Sequence, residues 1–199
     1  DHNASITLSN ANLTAKCGAA SDMGVRATDI QFTGKYYYEI TFDVTEGGAD
    51  TAVGIAFPGA ARDTMGNTAL GVFVCYKSGT YWLNGSSQGV LGTVAAGSVI
   101  CVAIDFGNGT AWLRVNGGNW NNTVGADPAT NTSGKNIAAL CHAGAWPCAT
   151  FNATNDQVTA NFGGSAFAQA VPSGFTSGWP TASTNAPWLD PQSIQTIQN

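Results

Sequence analysis

Apolar and polar residues alternate along this chain in short runs broken by turn-forming residues, the rhythm of half-buried β-strands. Ser5-Ile6-Thr7-Leu8-Ser9 alternates with period two, and Asn10-Ala11-Asn12 turns it into Leu13-Thr14-Ala15 as a small terminal hairpin. Gly24-Val25-Arg26-Ala27 reads as another strand. Over 36–44 the pattern places Tyr36, Tyr38, Ile40, Phe42 and Val44 on one face, the core side, and Tyr37, Glu39, Thr41 and Asp43 on the other. Strands follow over 51–57, 70–76, 80–83, 99–106 and 111–115, with a long irregular loop over 58–67. The run 98–106 passes through Gly107-Asn108-Gly109 into its hairpin partner, Ala111-Trp112-Leu113-Arg114-Val115. Segments 137–141, 150–151 and 158–162 complete the set. No helix-period segment of useful length and no internal repeat interrupts it, so the pattern predicts an all-β fold of two packed antiparallel sheets, a β-sandwich.

Composition fits one such domain: 199 residues, 44% of them apolar, suffice for a single core. Only 10% are charged, against roughly 25% in an ordinary soluble domain, while Thr (22), Asn (17) and Gly (25) abound. Solubility must therefore come mainly from uncharged polar groups. A net charge of −5 with seven Lys+Arg leaves no basic stripe to neutralise phosphates, which argues against a nucleic-acid partner. No apolar run approaches the ~20 residues of a spanning helix, so membrane insertion is not expected. The chain starts at Asp1 without a Met and without the charged-then-apolar pattern of a signal peptide, and is expected to be a processed product or a fragment. From Thr176 the composition shifts to Pro, Ser, Thr and Gly, punctuated by Trp179-Pro180, Pro187-Trp188 and Asp190-Pro191. The expected organisation is a sandwich over 1–175 and an extended tail or linker over 176–199, with Trp179 and Trp188 as assembly contacts.

Five cysteines are an odd set, so at least one is unpaired within the chain. Cys75 and Cys101 lie in apolar strand runs and read as buried thiols. Cys141 and Cys148 bracket His142-Ala143-Gly144-Ala145-Trp146-Pro147 and are the pair a disulfide would join, if any is present. Catalysis finds little support. Glu39 and Asp43 share a strand face, but four residues at ~3.3 Å each hold them ~13 Å apart, beyond the range of a glycosidase pair. Cys141, His142 and Cys148 supply at most three nearby zinc ligands, no D-x-D-x-D-G run is present, and the glycine-rich turns lack the Lys and helix of a phosphate cradle. No catalytic residue, cofactor or metal is expected. Aromatic residues near turns are the binding candidates. Trp112 belongs to a core strand, whereas Trp120, flanked by Asn119 and Asn121, and Trp146, before Pro147, are expected at the surface; Tyr81 joins them as a contact residue.

Several phrases also match a known family in wording and in order. Gly34-Lys35-Tyr36-Tyr37-Tyr38-Glu39-Ile40, Val53-Gly54-Ile55-Ala56, the hairpin over 97–112, the turn Val115-Asn116-Gly117 and Asn161-Phe162-Gly163 resemble the successive signature strands of the SPRY domain. The resemblance covers roughly 5–175. At its ends, the run from Ile6 to Ala15 and Val171-Pro172-Ser173-Gly174-Phe175 are similar to the start and finish of SPRY modules in bacteriophage proteins. This likeness implies a concanavalin-like jelly roll used as a non-enzymatic binding scaffold, with contacts made by loops at one end. The expected role is a structural or binding module of a virion protein (tail, fibre or capsid surface). Its expected partners are other virion proteins, a host-surface receptor or glycan, and further copies of itself. The rival reading is a secreted carbohydrate-binding or carbohydrate-active sandwich, for which Asn84-Gly85-Ser86 and Asn131-Thr132-Ser133 would be glycan acceptors.

Overall fold

The computed structural model describes residues 1–46, 50–64 and 70–180. Fourteen strands are described in chain order: β1 (Ile6–Ser9), β2 (Thr14–Cys17), β3 (Met23–Arg26), β4 (Lys35–Val44), β5 (Ala52–Ala56), β6 (Val72–Tyr76), β7 (Thr80–Leu83), β8 (Ser86–Val90), β9 (Val99–Asp105), β10 (Thr110–Val115), β11 (Lys135–Asn136), β12 (Trp146–Phe151), β13 (Gln157–Asn161) and β14 (Thr176–Ser177). The larger sheet runs β1-β2-β13-β4-β9-β10-β11, and the smaller β3-β12-β5-β6-β7-β8. Every ladder is antiparallel except one: β14 lies parallel to the first residues of β4, pairing Thr176 with Tyr36 and Ser177 with Tyr37.

Strand periodicity decides what lies between the sheets. The β4–β9 register sets Tyr36 opposite Ile104, Tyr38 opposite Val102 and Ile40 opposite Ile100, so one apolar face is shared by both strands. It meets Val53, Ile55, Phe73, Cys75 and Phe151 from the smaller sheet in one buried cluster. Polar links also join the two sheets. The Tyr38 hydroxyl donates to the Gly54 carbonyl at 2.8 Å. The Lys77 ammonium, following β6, lies 2.8 Å from Asp156 Oδ2, ahead of β13, and both side chains are buried.

Part of the outward face of the larger sheet is covered. Tyr37, Cys101, Ala103, Trp112, Trp120 and Phe175 form a second buried cluster there, with Phe167 and Val171 packed against it. Glu39, 3% exposed, anchors the covering segment. Its carboxylate accepts the Tyr37 hydroxyl at 2.6 Å and the amides of Ala168 and Gln169 at 2.8 and 2.9 Å. A strand-face residue that alternation alone leaves at the surface is thus buried by a loop far away in sequence.

Local chemistry accounts for the turns. The terminal hairpin closes through Asn10, Ala11 and Asn12, all in the left-handed region. Between β9 and β10, Asp105 accepts from the backbone and side-chain amides of Asn108 at 3.1 and 2.7 Å. Gly109 there has φ +62°, and a Cβ on it would lie 2.7 Å from Ala138, so both conformation and space require glycine.

Three sequence expectations need correction. Segment 137–141 is not a strand: Ala138–Cys141 forms a single helical turn, entered where Asn136 Oδ1 accepts the Ala138 amide at 3.0 Å. Ile137 and Cys141, four apart, then share one buried side. Strand β12 begins at Trp146 rather than Thr150, because Trp146–Thr150 pairs residue by residue with β5. The sandwich also does not stop at residue 175. Beyond β14, Trp179 is 2% exposed, its ring 5.2 Å from Tyr36 and 5.5 Å from Tyr38, and its Nε1 donates to the Asp29 carbonyl at 2.8 Å. Residues 176–180 are part of the packed domain, and the remaining tail, 181–199 with Trp188, lies outside the described residues.

Candidate functional site

Where the two sheets part at one edge, the β1–β2 hairpin and the end of β13 stand opposite β3, and a cleft opens between them. Its volume is about 740 Å³; Leu8, Leu13, Val25, Phe162 and Trp179 are among the lining residues, with Asn12, Arg26 and Thr28 adding polar groups. A contiguous hollow of about 510 Å³ shares Asp1, His2, Arg26, Ala27 and Thr28 and reaches Trp146. Asp1, His2 and Asp29 also line the larger cleft, so apolar surface is mixed with polar and charged groups, as in recognition sites.

Arg26 is the central group. It closes β3, opposite Cys148 of β12, and its guanidinium carbon lies 5.0 Å from the centre of the half-buried Trp146 ring, in cation–π contact. Its Nη2 is 2.8 Å from Asp1 Oδ2, while Asp1 Oδ1 is 2.7 Å from Arg62 Nη1. Arg62 also grips Asp63 through two bonds of 2.9 Å. That hydrogen bonding holds the Asp63 carboxyl down at about 2. The rim therefore presents an aromatic ring capped by a guanidinium, with the Asp1 carboxylate paired beside it. Arg26 spends Nη2 on Asp1 and Nη1 on the Ala60 carbonyl at 3.5 Å, so what this edge offers a partner is chiefly ring packing and charge.

Several carboxylates outside the cleft are committed to fixed partners. Glu39 is tied to backbone amides, Asp105 to Lys35 at 2.8 Å, and Asp156 to Lys77 and the Thr51 hydroxyl. Asp43 accepts from Gln157 and Thr159. Among the described residues, no group of three His, Cys, Asp or Glu side chains converges as metal ligands would, and no helix is long and apolar enough to cross a membrane.

Of the aromatic candidates, only Trp146 stands at this site with its ring part-exposed. Trp120 is 6% exposed: it opens a one-turn 3₁₀ segment and packs edge-on against Tyr37 with the Arg114 guanidinium 4.2 Å above it. Its neighbour Asn121, in the left-handed region, turns inward instead of to solvent, accepting the Leu113 amide and donating to the Ser133 carbonyl, both at 3.0 Å. Polar flanks thus misread Trp120 as a surface residue. Tyr81 is likewise buried, its hydroxyl donating to the Asn121 carbonyl at 3.1 Å. Trp179 lines the cleft floor as a core ring.

No disulfide joins Cys141 to Cys148. All five cysteines are free and buried. Cys141 belongs to the core between the sheets and Cys148 to the cluster on the outward face of the smaller sheet. Burial pushes the Cys75 and Cys148 thiols up to about 12. Arg26 carried no motif in the sequence; the signal that points to it is the scarcity of cations, one of seven set in an otherwise apolar strand.

The architecture is that of SPRY domains. The SPRY domain of human HERC1 superposes with a TM-score of 0.62 at 15% identity, over 80% of this chain and 96% of that one. A second human SPRY domain does so with a TM-score of 0.58 at 14% identity, with the same coverage. No family model matches the sequence, and no curated protein matches it.

Proposed function

We propose that the protein is a non-enzymatic binding or structural module of a bacteriophage virion protein, in the tail, fibre or capsid surface, and that it makes its contacts through the Arg26–Trp146 edge of the cleft. The observation that carries this reading is the part-exposed Trp146 ring under the Arg26 guanidinium, at the rim of the cleft. Aromatic and Arg anchors beside apolar pockets dominate the energetics of protein association. The fold shared with SPRY domains agrees with a binding scaffold. The virion context rests on the phage-like phrases at the two ends of the domain, and the partners it implies are neighbouring virion proteins or a host-surface receptor or glycan.

Purified particles test both halves. Mass spectrometry should find the chain at stoichiometric copy number, and Trp146→Ala should weaken its retention or the particles' adsorption while leaving its melting temperature within a few degrees. A chain missing from particles but carrying glycan on Asn84 or Asn131 would instead support the secreted, carbohydrate-binding alternative. That alternative has one structural point in its favour, a hollow of about 530 Å³ on the larger sheet whose lining includes Asn10, Thr41, Thr159 and Asn161. It lacks an aromatic platform for a sugar ring, which places it second.

A further inference from the structure

Two of the chain's three arginines meet at one carboxylate. Arg26, at the end of β3, places Nη2 2.8 Å from Asp1 Oδ2, and Arg62, in the one-turn 3₁₀ segment Arg62–Thr64, places Nη1 2.7 Å from Asp1 Oδ1. Each oxygen thus has its own guanidinium, a geometry suited to carboxylate recognition. Both arginines are also held by other groups. Arg62 grips Asp63 through Nε and Nη2, and Arg26 lies over the Trp146 ring with Nη1 3.5 Å from the Ala60 carbonyl. On a molecule with seven Lys+Arg and a net charge of −5, this pairing gathers positive groups against the overall sign.

Asp1 reaches that point on a short segment paired along the outer side of β3. His2 bridges antiparallel to Val25, the Asn3 amide donates to the Gly24 carbonyl at 3.1 Å, the Arg26 amide to the Asp1 carbonyl at 2.8 Å, and Arg62 Nη1 to the His2 carbonyl at 3.1 Å. Addition of an extended segment to a sheet edge is a general mode of peptide recognition, in which main-chain bonds give affinity and side-chain pockets give specificity. Residues 1–3 use chiefly the first. Asp1 and His2 are exposed, and the Asp1 side chain keeps 49% of its surface in water. Both line the hollow of about 510 Å³ that reaches Trp146 without filling it. A few solvent-exposed bonds of this kind hold a segment only weakly.

We propose that Arg26 and Arg62 are a carboxylate-recognition pair, that residues 1–3 cover it in the free protein, and that an extended segment of a partner protein bearing Asp or Glu displaces them to lie along β3. Charge complementarity selects this occupant, and its chemistry is read from the segment seated there: extended backbone antiparallel to β3, with a carboxylate between two guanidiniums. A partner segment repeats those bonds and adds side chains that enter the hollow beside Trp146, which gives it the advantage over residues 1–3. The proposal rests on the reading of the Arg26–Trp146 edge as a contact surface, and adds to it the partner's chemistry and an internal competitor.

The test is selection from a display library of random twelve-residue peptides on the whole chain carrying Asp1→Asn, followed by titration of the recovered peptides against wild type and variants. The peptides should share an Asp or Glu. They should bind Asp1→Asn roughly fivefold more tightly than wild type, because the internal competitor is weakened. Arg62→Gln, or conversion of the shared acid to its amide, should each weaken binding roughly fivefold, the upper range for an exposed ion pair. Should Arg62→Gln melt early, Arg62→Lys reads the same loss, since it keeps the charge but lacks the spare Nη1 donor. Trp146→Ala reports separately on the edge. Acidic peptides that need Arg62 but ignore Trp146→Ala uphold the pair and remove Trp146 from the contact, whereas peptides that need Trp146 but ignore Asp1→Asn and Arg62→Gln keep the edge and overturn the pair. Recovery of no peptide, of peptides without a shared acid, or of acidic peptides that bind wild type and Asp1→Asn alike also overturns it.

Discussion

Lys77 and Asp156 show how few charges this protein has and how fully it uses them. Both are buried, and the ammonium divides its protons between Asp156 Oδ2 and the Glu46 carbonyl, each at 2.8 Å. Removing one member of a buried pair leaves the other desolvated and uncompensated, so Lys77→Met should lower stability by about 3–5 kcal/mol in urea unfolding, with much of the loss recovered in Lys77→Met/Asp156→Leu. Asp105 gives a pH-dependent counterpart. Burial acts to raise its carboxyl, but hydrogen bonds from Lys35 and Asn108 outweigh burial and hold it below the ordinary carboxylate value. A depressed folded value means that its stabilisation is present in full above the unfolded value of about 4 and is lost as pH falls through the folded one. The stability gap between wild type and Asp105→Asn should therefore shrink steadily on acidification below that point. The cysteines supply a third outcome. Burial raises all five thiols, so the native protein should react negligibly with a thiol reagent at neutral pH and titrate five groups once denatured.

Among the elements, β14 and the Trp179 that follows it matter most, because the sequence places them in a tail and the fold places them in the core. Strand β14 takes the place beside β4 that β13 leaves open, since β13 pairs only from Glu39 onward. Trp179 then fills the gap among Tyr36, Tyr38 and Phe106. Trp179→Ala should cost about 3–5 kcal/mol, the usual range for emptying a buried aromatic site, and a chain stopped after Phe175 should be destabilised at least as much. A melt unchanged by either would return residues 176–180 to the tail. What the sequence shows clearly are elements whose pattern is local: the period of β4, the boundaries of β7, the glycine turn after β9. What it hides depends on distant partners. The strands β8, β11 and β14 have little apolar patterning of their own, Glu39 is buried by a loop some 130 residues away, and Trp120 is drawn inward by Asn121. The cleft is hidden for the same reason, since Arg26 and Trp146 meet only because β3 and β12 are neighbours.

At the scale of the molecule, a chain with so few charges and so much Thr, Asn and Gly builds a two-sheet sandwich whose outward faces are also partly buried. Phe32 is 56% exposed, and a few other rings, Phe162 and Trp146 among them, are half-buried. Trp146 is the part-exposed ring that lies against Arg26, and the proposed contact is made there. Hydroxyl-radical footprinting of the protein, free and within the assembly it occupies, measures this directly. Trp82, half-buried on the same outward face of the smaller sheet, serves as the internal control. The account predicts that assembly slows oxidation of Trp146 several-fold while Trp82 is unchanged; equal oxidation of Trp146 in both states would contradict it.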